Sequence, residues 1–221
     1  MIQITDVTKI YDSPRGPIKG LDRISISIDK GSFVTVTGGS GSGKTTLLVT
    51  LGGLLRPTTG SVEVEGQHLY SLKKKQLSRY RNRKIGFVLQ TFNLIPYLNA
   101  LENVMIPMSF SPENGNGGCH PRAESLLERM GLGERSLHLP RELSIGQQQR
   151  VAIARALAND PDLILADEPT GNLDPALAME ILEILRKLNE DEGKTIIMVT
   201  HSPTAAEFGT HRLNLRKGRL I

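Results

Sequence analysis

Apolar residues recur every second position near the start of the chain: Ile2, Ile4 and Val7, then Ile24, Ile26 and Ile28 against Ser25, Ser27 and Asp29. This alternation predicts half-buried strands, and Pro14-Arg15-Gly16-Pro17 separates them as a turn. The continuous run Phe33-Val34-Thr35-Val36 predicts a strand covered on both faces, and Thr45-Thr46-Leu47-Leu48-Val49 begins a helix. After a turn at Pro57-Thr58-Thr59-Gly60, Ser61-Val62-Glu63-Val64-Glu65-Gly66 and Ile85-Gly86-Phe87-Val88-Leu89 again read as strands. From Ala100 to about Ala158 the pattern is helical, interrupted by a loop at Glu113-Asn114-Gly115-Asn116-Gly117-Gly118. Strands return at Leu163-Ile164-Leu165-Ala166 and Thr195-Ile196-Ile197-Met198-Val199, with a helix from Pro175 to about Glu192 between them. Strand–helix alternation of this kind predicts an α/β core with a mainly parallel sheet. A helical insertion over about 91–161 interrupts it.

Gly38-Gly39-Ser40-Gly41-Ser42-Gly43-Lys44-Thr45 fits the phosphate-loop pattern G-x-x-x-x-G-K-[ST], and it lies between the predicted strand and helix. That context turns the pattern into a nucleotide site. Glycines let successive backbone N–H groups curl around an anion, and the helix adds its positive end at the same spot. Lys44 reaches the β- and γ-phosphates in such loops, and the Thr45 hydroxyl holds magnesium. A Gly/Ser-rich linker would lack the apolar segments that press on both sides here.

Composition narrows the setting. The 221 residues are 38% apolar and 23% charged, which suits a soluble globular unit. No apolar run approaches the roughly 20 residues that span a bilayer. Met1-Ile2-Gln3-Ile4-Thr5-Asp6 lacks the features of a secretory signal. The single cysteine, Cys119, excludes an internal disulfide and suits a reducing cytoplasm; with only His120 beside it, no metal is assigned there. The net charge of +4 is concentrated in Lys73-Lys74-Lys75, Arg79, Arg81, Arg83 and Lys84. Nucleic acid or anionic lipid could meet such a run. Leu72, Gln76, Leu77 and Tyr80 leave an apolar stripe through it, so it is read as the solvated face of a helix, with no nucleic-acid partner.

A second group of residues completes the site. Leu163-Ile164-Leu165-Ala166-Asp167-Glu168 is a buried strand ending in two acids. Successive strand residues point to opposite faces, so the two acids are expected to play different roles. Asp167 would organise magnesium, while Glu168 would orient and deprotonate water. Leu143-Ser144-Ile145-Gly146-Gln147-Gln148-Gln149-Arg150 opens a helix whose Ser144 suits an N-cap and whose positive end suits an anion.

Together these segments resemble the nucleotide-binding cassettes of ABC transporters. Gly38 to Thr45 matches the family's Walker A, with Thr46 beside it, and Leu163 to Glu168 its Walker B. Ser144, Gly146 and Gln147 fall in the signature, where Ile145 departs from the usual glycine. Gly171-Asn172-Leu173-Asp174 matches the D-loop, Gln90 the Q-loop, His201 the switch histidine, and Tyr11 the adenine-stacking aromatic. The resemblance implies a P-loop NTPase core, an antiparallel β subdomain at the N-terminus and an inserted helical signature subdomain, all in one domain over 1–221. It implies ATP and Mg²⁺ as cofactors, with Thr45, Gln90 and Asp167 at the metal. Catalysis falls to Glu168, His201 and Lys44. Two copies would sandwich ATP between Walker A of one and the signature of the other.

Phe92-Asn93-Leu94-Ile95-Pro96, Ala100-Leu101-Glu102-Asn103-Val104 and Ala166-Asp167-Glu168-Pro169-Thr170-Gly171-Asn172-Leu173-Asp174 resemble the LolD- and MacB-type branch. That branch implies an integral-membrane permease partner with an extracytoplasmic domain, and a peripheral place on the cytoplasmic face of the inner membrane. Lipoprotein release, macrolide or peptide export, and division-linked signalling without cargo all share these motifs. A soluble ATP-gated assembly factor is the alternative of another class.

Overall fold

A computed structural model describes residues 2–14, 16–110 and 118–221, so most of the loop expected around Gly115 lies outside the described residues. The alternating N-terminal segments form β1 (Ile2–Tyr11) and β2 (Ile18–Ile28), antiparallel to each other. β4 (Thr59–Val64) pairs with the other edge of β1, and β5 (Gln67–His68) completes a four-stranded sheet in the order β2-β1-β4-β5. β4 takes in Thr59 and Gly60, expected in the turn, because the Thr8–Thr59 pairing extends the ladder.

The apolar runs form the second sheet. β3 (Phe33–Thr37), β6 (Ile85–Leu89), β7 (Leu163–Asp167) and β8 (Thr195–Thr200) are joined by β9 (His211–Arg216) and β10 (Arg219–Leu220), in the order β10-β9-β3-β8-β7-β6. Every neighbour pair except β10–β9 is parallel. Parallel sheets need cover on both faces, and this one has it. Leu163, Leu165, Ile197 and Val199 face one core with α1 (Lys44–Leu51) and the antiparallel sheet. Ile164, Ala166, Ile196 and Met198 face a second core with α3 (Ala100–Ser109), α4 (Cys119–Arg129), α5 (Ile145–Ala156) and α6 (Pro175–Glu190). Among the described residues, no helix is long and apolar enough to cross a membrane.

The basic run forms α2 (Lys74–Lys84), which buries no residue fully. Leu77 and Tyr80 pack on the first core, and the Tyr80 hydroxyl donates to the Val64 carbonyl (3.0 Å). Burial raises the Tyr80 pKa to about 12. Most of its cations project outward, as the stripe of apolar residues requires. The hairpin of β9 and β10 was not expected, because His211-Arg212-Leu213-Asn214-Leu215-Arg216 offers only two apolar positions. It is fixed by pairing with β3 and by Asp22 of β2, which receives Arg219 Nε at 2.8 Å and Lys19 Nζ at 3.1 Å.

Those two donors hold the Asp22 carboxyl below the usual carboxylate range, Arg219 contributing most. A carboxyl depressed by folding stabilises the native state above the unfolded value of about 4, and the contribution is lost as pH falls through the folded value. Asp22→Asn should lower the melting temperature at pH 7, and its gap from the wild type should narrow as calorimetry moves below about pH 4. Equal melting temperatures at pH 7 would show that the clamp contributes nothing.

Candidate active site

The loop between β3 and α1 is shaped by backbone contacts that only glycine allows. Gly43 caps α1 with φ 108°, and a Cβ there would lie 2.3 Å from the Gly20 carbonyl oxygen. The Ser42 amide donates to the Gly39 carbonyl (3.1 Å), while the Ser42 carbonyl accepts from the Gly218 amide (2.8 Å). Lys44 folds back along the loop, donating to the carbonyls of Gly38 (2.7 Å) and Gly39 (3.3 Å). Gly39, Ser40 and Gly41 are exposed to solvent. The Ser42 hydroxyl is buried without a hydrogen-bond partner. First-turn amides of α1, which lack intrahelical acceptors, face the same hollow. An anion with several oxygens fits these orphan donors, as a phosphate chain does.

The two acids meet this loop differently. Asp167 shares its strand parity with Leu163 and Leu165, so it reaches the α1 side, and Thr45 Oγ1 donates to its Oδ1 (3.3 Å). Burial pushes the Asp167 carboxyl up, the Thr45 hydrogen bond opposes this, and the neighbouring Glu168 adds to it. A desolvated carboxylate beside a hydroxyl suits a hard divalent cation, which restores the charge balance that burial removes. Glu168 was expected to face the other way. It has left the strand with φ 45°, a conformation that costs a non-glycine residue about 1–3 kcal/mol. The turn brings its Oε1 to 3.9 Å from Lys44 Nζ and its Oε2 to 2.8 Å from His201 Nδ1. The His201 amide donates to the same Oε2 (3.1 Å). His201 therefore fixes one carboxylate oxygen and leaves the other facing the loop.

Other residues stand further out. The exposed Tyr11 ring shares a hydrogen bond with Thr46 Oγ1 (3.2 Å) and lies beneath the Lys9 ammonium, 5.5 Å from the ring centroid. Gln90 engages Asn172: its carbonyl accepts from Asn172 Nδ2 (3.0 Å) and its Nε2 donates to Asn172 Oδ1 (3.4 Å). Its hydrogen bonds thus run to the loop after β7, with Thr45 and Asp167 paired to each other. Ser144 caps α5 in a capping box, accepting from the Gln147 amide (3.2 Å) while Gln147 Oε1 accepts from the Ser144 amide (2.9 Å). Gly146 packs on Leu177, leaving 3.0 Å for a Cβ. Asp174 caps α6, accepting from the amides of Ala176 and Leu177. Sequence reasoning missed Gly20, whose carbonyl bounds the loop, and the side chains of Arg155 and Gln149 described below. A lone glycine in a strand pattern was the signal for the first.

The fold and the loop define a P-loop NTPase. Known proteins agree with that class and narrow it. The ABC transporter family pattern matches residues 21–171. The lipoprotein-releasing system ATP-binding protein LolD of Aquifex aeolicus is 49% identical, over 91% of this chain and 89% of that protein. A macrolide export ATP-binding/permease protein MacB of Syntrophobacter fumaroxidans is 48% identical over 99% of this chain, which spans 31% of that longer protein. The dimeric cassette MJ0796 of Methanocaldococcus jannaschii, solved in a post-hydrolysis state with ADP and Pi, is 43% identical with a TM-score of 0.93. That match covers 100% of this chain and 96% of the other. The chain belongs to the ABC transporter family and is an ATP-binding, ATP-hydrolysing cassette.

Gly43→Ala would meet both the left-handed backbone, at about 1–2 kcal/mol, and the Gly20 carbonyl. ATP affinity measured by titration calorimetry should fall at least about tenfold. Unchanged affinity would mean that the loop tolerates rebuilding at its base.

Proposed function

We propose that the chain drives an integral-membrane partner of LolD or MacB type, by closing on ATP as a homodimer. The observation that carries this reading is the convergence of Lys44, Thr45, Asp167, Glu168 and His201 on one glycine loop. Ser144 and Gly146, at the head of a separate helix, offer a second anion-binding end. With Walker A on one copy and the signature on another, a symmetric pair completes two sites. The helical segment over about 91–161 is proposed to move as the subdomain that presents the signature.

In this reading Tyr11 stacks on the adenine and Thr46 steadies its hydroxyl. The backbone of Gly38, Gly39, Ser40, Gly41, Ser42 and Gly43 cradles the phosphates, with Lys44 on the β- and γ-phosphates. Thr45 and Asp167, with Gln90, would hold Mg²⁺, and the ion would supply charge to offset that of the phosphates. Glu168 Oε1 accepts a proton from water as the water oxygen bonds to the γ-phosphorus. The bond to the bridging oxygen breaks, and ADP leaves with that electron pair. His201 keeps Glu168 oriented and contacts the γ-phosphate. Gln147 and Asp174 hold the signature and the 171–174 loop in shape through their caps.

A groove of about 620 Å³ supports the membrane partner. Leu54, Phe87 and Phe110 line it together with Lys75, Arg79 and Arg81, at the border between the core and the helical segment. Its chemistry suits an apolar helical segment with acidic ends, supplied by the permease. The partner's extracytoplasmic domain would then select the cargo, with this chain bound peripherally at the cytoplasmic face of the inner membrane.

Glu168→Gln should reduce phosphate release by on the order of a hundredfold while ATP affinity is kept. Trapped with ATP in native membranes, that variant should retain an integral-membrane protein in stoichiometric amount. Recovery of soluble partners alone would overturn the transporter reading. Adding Ser144→Arg to the trapped variant should preserve ATP binding and abolish the ATP-dependent dimer in size-exclusion chromatography. A persisting dimer would refute the shared site.

A further inference from the structure

The helix that carries Ser144 also grips the two loops that follow Gln90 and Glu168. Near its C-terminus, Arg155 sends Nη1 to the Asn93 carbonyl (2.6 Å) and Nη2 to the Phe92 carbonyl (2.5 Å). Phe92 and Asn93 both have positive φ, 56° and 49°. Consecutive left-handed residues are rare outside glycine, and a bulky Phe92 there is strained unless the surroundings impose it. The Thr91 hydroxyl and the Asn93 side chain stabilise the corner locally (2.8 Å), but the Phe92 and Asn93 carbonyls are taken by the guanidinium. Burial lowers the Arg155 pKa, and its hydrogen bonds run to backbone carbonyls. A partly buried cation held this way is an expensive means of filling space. It is a specific way to hold two adjacent carbonyls, because the guanidinium fork is rigid and planar.

Further bonds close the arrangement into a ring. Gln149, nearly two turns earlier on α5, is fully buried and donates Nε2 to the Pro169 carbonyl (2.7 Å), one residue past Glu168. Gln90 and Asn172 pair across the gap between the two loops. On α3, the buried Asn103 ties the continuation of the Gln90 loop through Ile95, Leu98 and Asn99. The Gln90 loop is thus attached to the helical segment at both ends of its irregular stretch, and α5 is the element shared with the signature.

We propose that Arg155 is a positioning residue for ATP hydrolysis: it locks the Phe92–Asn93 corner to α5, so that the signature and Gln90 move as one body. The proposal rests on the reading above in placing Gln90 at the nucleotide. A guanidinium at this point makes Gln90 arrive at the phosphates only when α5 has arrived too. Without it, the strained corner relaxes and Gln90 samples other positions while nucleotide binding by the glycine loop persists.

The test is a double-mutant cycle on the full chain with Arg155→Met, Gln90→Ala and the double variant, read by steady-state ATPase kinetics. Arg155→Met should lower kcat by about tenfold with KM for ATP within about twofold. The double variant should be no slower than Gln90→Ala alone, since both changes disable the same group. Effects that multiply, or a wild-type kcat in Arg155→Met, would overturn the role of Arg155 and leave that of Gln90 standing. A wild-type kcat in Gln90→Ala would overturn both. Arg155→Lys guards against a folding defect: it keeps the cation but loses the fork, so kcat should fall while the melting temperature stays at the wild-type value. Hydrogen exchange adds a readout that a packing role would not give, with protection lost at 91–95 and kept along α5 in Arg155→Met. Equal loss along both would also overturn the proposal.

Discussion

Parallel pairing of β3, β8 and β7 in adjacent rows is the constraint on which the site depends. Thr37 sits opposite Thr200, and Asp167 opposite Val199, so three strands end at one edge within a residue of each other. Gly38, Glu168 and His201 are the next residues along, and they become neighbours without any loop reaching for them. Two-sided burial locks this register. A slip of one residue in β7 would exchange Leu163 and Leu165 for Ile164 and Ala166 and carry Asp167 to the wrong face, away from Thr45. The chemistry is as secure as the cores on either side of the sheet.

That dependence explains what could be read from the sequence. Long apolar runs and period-two alternation marked β1, β2, β3, β6, β7 and β8, because burial on one or both faces leaves a direct imprint on residue choice. The phosphate loop was legible because only glycine tolerates backbone approaches such as that of Gly43 to Gly20. Glu168 was misjudged in direction, since strand parity stops applying where the chain turns to φ 45°. The β9–β10 hairpin was silent: its stability comes from pairing with β3 and from the Asp22–Arg219 contact, both remote in sequence. Arg155 and Gln149 were equally silent. Each lies within an ordinary helical pattern, and its partner is a backbone carbonyl, which any residue supplies.

The two halves of the machinery are therefore held by different means. Core residues are fixed by strand ladders, which are repetitive and stiff. Helix α5 and the Gln90 loop are fixed to each other by a few side-chain-to-backbone bonds across irregular turns. Packed cores resist deformation, while the bonds that tie the Gln90 loop to the loop after β7 can exchange partners, so movement concentrates between the core and the group formed by α5 and the Gln90 loop. The pairing of Gln90 with Asn172 is one such exchangeable bond, long at 3.4 Å on its amide side.

Lys44 carries a consequence of another kind. Its ammonium already lies across the loop, held by the Gly38 and Gly39 carbonyls, and only about a tenth of the side chain is exposed. A lysine side chain loses up to roughly 2 kcal/mol of rotamer entropy when it is ordered. In this protein that loss is incurred during folding. Under the proposed reading, an incoming triphosphate would meet a charge that is already immobilised and would need only to trade carbonyl acceptors for phosphate oxygens. Affinity gained this way comes from preorganisation, and the stability of the nucleotide-free fold bears its cost.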